Sequence, residues 1–241
     1  MNRIAPPRVE RIVAMRAPGG IIAVVAAIAV VAPAVAAAGG GATADARAGG
    51  ADDRYGLDDV PRYVPPTGRV ICPKVPMVRY RGAVIRYHKP VRVYVGFRER
   101  LEKFERIVRE VAIEVYGRAP RRIVHIGTYN CRRIRRYPTY LSEHALGNGI
   151  DIAGFDFGPA RGRGERAAAP HRRLRRAFRV RVADHWGRTR GVDAIHAEFL
   201  RRLTDRLVGR DDVFRVLLGP AWPGHKNHFH FDCAPWRIVE I

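Results

Sequence analysis

From residue 77 onward, the spacing of apolar residues predicts short strands followed by a long helix. Residues 77–97 are rich in Val, Tyr and Ile and are interrupted at Arg81-Gly82 and His88-Lys89-Pro90, which predicts two or three short strands. After Arg98 the apolar side chains recur at intervals of three and four residues, as on one face of a helix. Gly117, followed by Pro120, predicts the end of that helix.

The rest of the chain continues this mixture without a regular strand–helix–strand order. The patterns predict strands at 122–130, 149–155 and 229–231, a helix at 193–208, and a short helix or strand at 211–218. Residues 137–148 and 156–170 are predicted as loops, and 174–182 fits no single element. This order predicts an α+β fold with a mostly antiparallel sheet and flanking helices.

The first 66 residues differ in composition from the remainder. A basic start, an apolar run from Ile21 to Val35 and small residues near Ala38 predict a secretory signal peptide over residues 1–38. An uncleaved N-terminal anchor is the alternative, although Pro33 interrupts the run. Residues 39–66 are predicted as a flexible linker, and residues 67–241 as one folded domain. We therefore expect export to the periplasm or cell envelope.

The formal net charge of +21 favours anionic partners and disfavours self-association, which predicts a monomer. Export favours peptidoglycan or another anionic envelope polymer as the partner. Nucleic acid is not expected, because the sequence contains no recognisable nucleic-acid-binding motif. Contact with a membrane is expected only if the leader is uncleaved. Only four of the basic residues are lysine, a bias that base composition also produces, and the runs 161–166 and 172–181 are predicted as solvated surface.

Three cysteines, Cys72, Cys131 and Cys233, predict one disulfide and one remaining thiol in an exported protein. Their spacing does not determine which two pair. No two of them are spaced as in a CxxC motif, which argues against a metal site built from cysteine.

Three separated polar residues form a pattern that can bind a metal. On a strand, His228 and His230 face one side while Phe229 faces the other. Asp151 lies between two isoleucines, where a carboxylate is unfavourable unless a positive group meets it. The sequence Gly147-Asn148-Gly149 allows a tight turn that brings His144 back beside Asp151. Three N/O ligands with one open position are typical of catalytic zinc sites. Ordinary surface or core histidines remain the alternative on pattern alone.

The same residues carry a family resemblance. Ser142-x-His144-x-x-Gly147-x-x-x-Asp151 with His225-x-x-His228-x-His230 resembles the zinc D,D-peptidases that cleave peptidoglycan, which include D-alanyl-D-alanine carboxypeptidases and dipeptidases and a penicillin-insensitive murein endopeptidase. Tyr129-Asn130-Cys131-Arg132, residues 142–155 and Leu218-Gly219-Pro220 are similar, more closely, to the bacterial extensin-like C-terminal domain family. The resemblance covers about residues 72–232 and implies the zinc D,D-peptidase fold (hedgehog/D-Ala-D-Ala peptidase-like, of the M15 and LAS type).

The resemblance also implies a role for individual residues. His144, Asp151 and His230 match the ligands of a Zn²⁺ cofactor. His228 matches the histidine beside the reacting water, as a proton carrier or oxyanion stabiliser, and His225 matches a further catalytic-site histidine. These matches imply an exported zinc metallopeptidase that hydrolyses peptidoglycan stem peptides or cross-links. The alternative is a non-catalytic, basic envelope-binding module with a vestigial metal site.

Two substrate contacts and one departure complete the implied site. Arg132 matches an arginine that contacts the scissile carbonyl or a terminal carboxylate, with Arg133 as its rival by register. Ser142 is expected to hold the peptide or to brace His144. The dipeptidase branch carries a glutamate as general base three residues before the last histidine, where this chain has Asn227. The proton-transfer role therefore falls on His228 by elimination.

Overall fold

The structure, a computed structural model, describes residues 55–241, so the predicted leader and the first part of the predicted linker lie outside the described residues. The helices are α1 (Val95–Tyr116), α2 (Gly162–Ala168), α3 (Val182–His185) and α4 (Gly191–Leu207), with 3₁₀ helices at Glu143–Leu146 and Arg172–Arg175. The strands are β1 (Met77–Tyr80), β2 (Arg86–Tyr87), β3 (Val91–Tyr94), β4 (Arg122–Gly127), β5 (Arg133–Ile134), β6 (Tyr137–Leu141), β7 (Gly149–Phe157), β8 (Phe178–Arg181), β9 (Val216–Leu218), β10 (Phe229–Asp232) and β11 (Ile238–Glu240).

The central sheet is built around β7, a strand of nine residues. Its strands are ordered β11-β9-β10-β7-β4-β2, and β8 also pairs with β7. Strand β7 is antiparallel to β10, β4 and β8, whereas β11 with β9 and β2 with β4 are parallel pairs. The α+β class and the mostly antiparallel sheet are therefore confirmed.

Helices α1 and α4 share one hydrophobic core with the inner face of the sheet. The predicted helical face is buried on α1, with Leu101, Phe104 and Val108 fully inaccessible to solvent. Burial of each such side chain contributes about 1.5–3 kcal/mol. The helix ends at Gly117, whose φ of 72° is left-handed and whose N–H bonds to the carbonyl of Ile113, as the sequence predicted. Among the described residues, no helix is long and apolar enough to cross a bilayer.

Two predicted loops contain regular structure. Residues 137–148 form β6, paired with β5, and a 3₁₀ helix, and residues 156–170 contain the end of β7 and helix α2. The burial of β6 does not alternate along the strand, and α2 has no buried residue. Because neither element has one side in the core, neither has the apolar period that predicts it.

The domain includes residues 55–66, which the sequence predicts as part of the linker. Leu57 is 3% exposed and packs with Leu141 and Leu146, and the guanidinium of Arg62 is buried in an ion pair with Glu143. The predicted boundary at residue 66 is thus wrong for this segment. The segment is attached by single buried side chains, Leu57 and Arg62, so it has no run of apolar residues at the spacing of a helix or a strand.

One disulfide joins Cys72 to Cys131, with a Cα–Cα distance of 5.9 Å, and Cys233 is a buried free thiol. The prediction of one disulfide and one remaining thiol is confirmed. The structure supplies the pairing that the sequence left open.

Candidate metal centre

Asp151, His230 and His144 are brought together by two paired strands and one turn. Asp151 on β7 and His230 on β10 are direct register partners, and their neighbours Ile150, Ile152, Phe229 and Phe231 are buried in the core. His144 lies in the 3₁₀ helix Glu143–Leu146, which ends at Gly147 with a left-handed φ of 62°. The strand alternation and the turn therefore place the three side chains as the sequence predicted.

The three candidate ligand atoms have nearly the spacing of a zinc site. His144 Nε2 lies 3.2 Å from Asp151 Oδ1 and 3.1 Å from His230 Nδ1, and His230 Nδ1 lies 2.9 Å from Asp151 Oδ1. In a tetrahedral site with Zn–N bonds of about 2.0–2.1 Å, two ligand atoms are about 3.3 Å apart. These atoms therefore need to move apart by only about 0.1–0.4 Å to form one face of a zinc tetrahedron.

Each histidine is held by its outer ring nitrogen. His144 Nδ1 lies 2.5 Å from the carbonyl oxygen of Thr128, and His230 Nε2 lies 2.6 Å from Asp232 Oδ2. A carbonyl or carboxylate oxygen only accepts, so these outer nitrogens donate. In the neutral rings, the two inner nitrogens then carry lone pairs directed at Asp151. Three converging lone-pair atoms repel one another unless a cation or a proton lies among them, and this donor set fits zinc.

The surrounding carboxylates make this point attractive to a cation. Burial lowers the pKa of His230, but hydrogen bonds and charges from Asp151 and Asp232 outweigh it and raise that pKa to about 10. Burial raises the pKa of Asp151, but the His144 and His230 rings beside it hold that pKa well below its usual range. The N–H of Ala234 in turn donates to Asp232 Oδ1 over 2.9 Å. The carboxylates of Asp151 and Asp232 thus lie on either side of the His230 ring.

A glycine allows the strands to approach closely beside the cluster. Gly127 on β4 pairs with Asp151, and a Cβ placed on Gly127 would lie 2.4 Å from Asp151 Oδ2. The register between β4 and β7 shifts at two places just before this point. A larger residue at position 127 would therefore displace the Asp151 carboxylate.

A buried ion pair braces the turn that carries His144. Arg62 Nε donates to Glu143 Oε1 over 2.9 Å, and Asn148 Nδ2 donates to Glu143 Oε2 over 2.5 Å. Burial raises the pKa of Glu143, although the hydrogen bond from Arg62 lowers it. Arg62 Nη1 also donates to the carbonyl of Val60 over 2.6 Å. Arg62 therefore ties the first residue of the 3₁₀ turn to segment 55–66, and Asn148, beyond the turn, bonds to the same carboxylate.

His228 and His225 lie beside the three candidate ligands. His228 Nε2 is 3.7 Å from Asp151 Oδ1, and its Nδ1 is 2.8 Å from Asn227 Oδ1. The ring of His225 is centred 4.7 Å from that of His228 and 5.8 Å from that of His230. Burial lowers the pKa of His228, and burial with the nearby His230 and His228 lowers that of His225 to about 4. Both rings are therefore neutral near pH 7.

The structure distinguishes the two candidate arginines. Arg133 Nε and Nη2 each donate over 2.7 Å, to the carbonyls of Pro65 and Thr67. Arg132 is exposed, and among the described residues its guanidinium makes one hydrogen bond, to the carbonyl of Arg133. Arg133 is thus committed to the fold, whereas Arg132 is available to a ligand.

Ser142 is 5% exposed, and its side chain does not cap the following turn. Its N–H donates to the carbonyl of Arg132 over 3.0 Å, and its carbonyl accepts from Ala145 over 2.8 Å. These bonds place Arg132 next to the strand end that leads to His144. A role for Ser142 in holding substrate stays a prediction.

Several residues that shape the site were absent from the sequence analysis. Asp232 carried a recognisable signal, because it follows His230 by two residues on the same strand and lies between buried Phe231 and Cys233. The argument that singled out Asp151 applies to it unchanged. Thr128 acts through its backbone carbonyl oxygen, which every residue type has, so the sequence does not single it out. The role of Arg62 could not be predicted because its partner, Glu143, lies 81 residues away.

The fold and site define an α+β domain with a His/Asp/His cluster at the junction of two antiparallel strands. Residues 61–166 match the family model described as "Extensin-like protein C-terminus", which supports the resemblance to the extensin-like C-terminal family. The match covers less than half of the chain and contains His144 and Asp151 but not His230. No curated protein and no solved structure matches the chain.

Proposed function

We propose that this protein is an exported zinc-dependent peptidase that hydrolyses peptidoglycan stem peptides or cross-links. The observation that carries the proposal is the convergence of His144 Nε2, Asp151 Oδ1 and His230 Nδ1 within 3.2 Å of one another. Zinc bound by these three residues would acidify water and polarise the carbonyl under attack. The D,D-peptidase fold and the peptidoglycan substrate are part of this proposal and rest on the motif resemblance.

The neighbouring side chains supply the remaining chemistry of amide hydrolysis. His228 donates its Nδ1 hydrogen to Asn227, so the lone pair of Nε2 faces the ligand cluster and can take a proton from water. The same proton is then available to the leaving amine. Asn227 orients this base, although the related branch has its glutamate at that position. His225 excludes solvent beside His228, and Arg132 receives a carboxylate of the peptide.

The proposal is tested with the purified chain, freed of metal by chelation, and with isolated muropeptides. Hydrolysis followed by mass spectrometry should vanish on chelation and return with zinc. His228→Gln should keep zinc but lower the rate by about 100-fold or more, since general acid–base catalysis contributes about that factor. Asp205→Asn, on the exposed side of α4, is the matched control and should behave as wild type. Zinc-loaded wild type that releases no product, like the Asp151→Asn variant, would refute the proposal.

A second candidate, a non-catalytic module that binds anionic envelope polymer, is favoured by one surface. Eight arginines of a nineteen-residue stretch are exposed, and no carboxylate among residues 55–241 forms an ion pair with them: Arg161, Arg163, Arg166, Arg172, Arg173, Arg175, Arg176 and Arg179. Binding to sacculi that weakens steeply with salt, without release of product, would favour this candidate. Replacing four of these arginines by glutamine should then abolish binding, whereas Asp151→Asn should not affect it.

A further inference from the structure

A second group of histidine and aspartate side chains lies where α3 and α4 meet. His185 is the last residue of α3, and Asp193 and His196 lie three residues apart near the start of α4, on one face of that helix. One candidate ligand atom from each lies within 4.8 Å of the others. We propose that these three residues bind a divalent transition-metal ion, at a site separate from the His144 cluster.

The hydrogen bonds of the two rings follow the pattern of metal-binding histidines. Such histidines generally donate their outer N–H to an oxygen acceptor and bind the ion with the other nitrogen. His196 Nδ1 lies 2.9 Å from the hydroxyl of Tyr116, and His185 Nδ1 lies 3.0 Å from the carbonyl of Arg181. The N–H of Arg181 is also 3.0 Å from His185 Nδ1, so either tautomer has a partner. A cation at Nε2 selects the tautomer that donates to the carbonyl.

The inner nitrogens lack partners within the described part of the chain. His196 is 4% exposed and is packed edge-to-face against His185 with 4.7 Å between ring centres, yet its Nε2 forms no hydrogen bond. His185 Nε2 is 3.9 Å from Asp193 Oδ1, beyond hydrogen-bond distance. Among the described residues, the hydrogen bonds of both rings are made by Nδ1, so both Nε2 atoms are available to bind an ion.

The three ligand atoms must move closer together to hold zinc, and one of the three side chains is exposed enough to move. A tetrahedral zinc site needs ligand atoms about 3.3 Å apart, so the group must contract from its present spread. The Asp193 side chain is 61% exposed and can rotate inward without disturbing the core. Two imidazoles and one carboxylate suit Zn²⁺ or a similar first-row ion better than Ca²⁺ or Mg²⁺. The outer nitrogens here lie beside a hydroxyl and a carbonyl, whereas that of His230 lies beside the carboxylate of Asp232, so this site should bind more weakly than the His144 cluster.

The position of the group suggests what the ion does. Trp186, the residue after His185, packs edge-on against Phe229 with 5.2 Å between ring centres. Phe229 lies between His228 and His230 on the strand that forms the first site. An ion that ties α3 to α4 would therefore hold the wall behind β10, as a structural site.

Metal stoichiometry tests the proposal. The full chain, without an affinity tag and freed of metal, is titrated with zinc and the bound ions are counted by native mass spectrometry and calorimetry. Wild type should bind two ions per chain, and Asp193→Asn, His185→Gln and Asp151→Asn should each bind one. Asp184→Asn is the matched control, an exposed carboxylate on α3 outside the group, and should bind two. Since His196 is in the core, it is left unchanged.

The outcomes separate this site from the proposed function. The ions are counted without a peptide substrate, so the result is independent of whether the protein is a peptidase. The proposal is overturned if Asp193→Asn or His185→Gln binds as many ions as wild type at wild-type affinity. Loss of one ion in both variants upholds it, whether or not Asp151→Asn also loses one.

Discussion

Replacing Gly127 by alanine should weaken zinc binding with little effect on the fold. The added Cβ would lie 2.4 Å from Asp151 Oδ2, whereas ordinary contacts of a Cβ begin at 3.4 Å, so the carboxylate must move by about 1 Å. Ligand distances in metal sites vary by only about 0.2 Å. Mutations that disturb the orientation of metal ligands typically cost about 10–100-fold in metal affinity. We therefore expect zinc affinity to fall by about 10–100-fold, or about 1.4–2.7 kcal/mol.

The measurement is a calorimetric zinc titration against a competing chelator, with urea unfolding of the metal-free chain alongside it. Gly127 is not at a left-handed backbone angle, so alanine adds no backbone strain and the unfolding transition should stay cooperative. Gly158→Ala is the matched control, because its Cβ would meet no atom within 4 Å. Wild-type zinc affinity in Gly127→Ala would refute the reasoning, since the carboxylate would then not be a ligand in its present position.

Three further predictions concern the groups around the candidate ligands. Asp232→Asn removes the charged acceptor of His230 Nε2, so zinc affinity should fall about 10–100-fold in a competition titration; an unchanged affinity would mean that His230 is not a ligand. Arg62→Met leaves Glu143 buried without its partner and should lower the free energy of unfolding in urea by about 3–5 kcal/mol, most of which Arg62→Met with Glu143→Met should restore. A double variant as unstable as the single would contradict this. Reducing the Cys72–Cys131 bond, which closes a separation of 59 residues, should lower the same free energy by about 4 kcal/mol, and a loss under 1 kcal/mol would contradict the chain-entropy argument.

The elements that the sequence predicts well are those with one face in the core. Helix α1 starts at Val95 and ends before Gly117, close to the predicted limits, because its apolar residues recur at helical spacing. Strand β6 and helix α2 lie in segments that the sequence predicts as loops, since contacts at the surface do not require apolar side chains. Segment 55–66 was assigned to a linker because its attachment depends on Arg62, whose partner Glu143 is distant in sequence.

Asp151 and His230 could be predicted because each is a polar residue between two buried apolar residues. Asp151 lies between Ile150 and Ile152, and His230 between Phe229 and Phe231, so in both cases a polar group interrupts a buried strand. Asp232 has the same signal and was overlooked because no motif singled it out. The carbonyl of Thr128 could not be predicted from residue type, because every residue has one.

The register between β7 and β10 decides whether these residues form a site at all. His230 pairs with Asp151, and this pairing brings Nδ1 to 2.9 Å from the carboxylate. A slip of one residue would place Phe229 or Phe231 opposite Asp151 and turn an imidazole into the core. The apolar neighbours of both ligands therefore fix the register by their own burial. The same alternation that buries the apolar residues in the core places His230 and Asp151 side by side. The family match ends at residue 166 and so does not include His230.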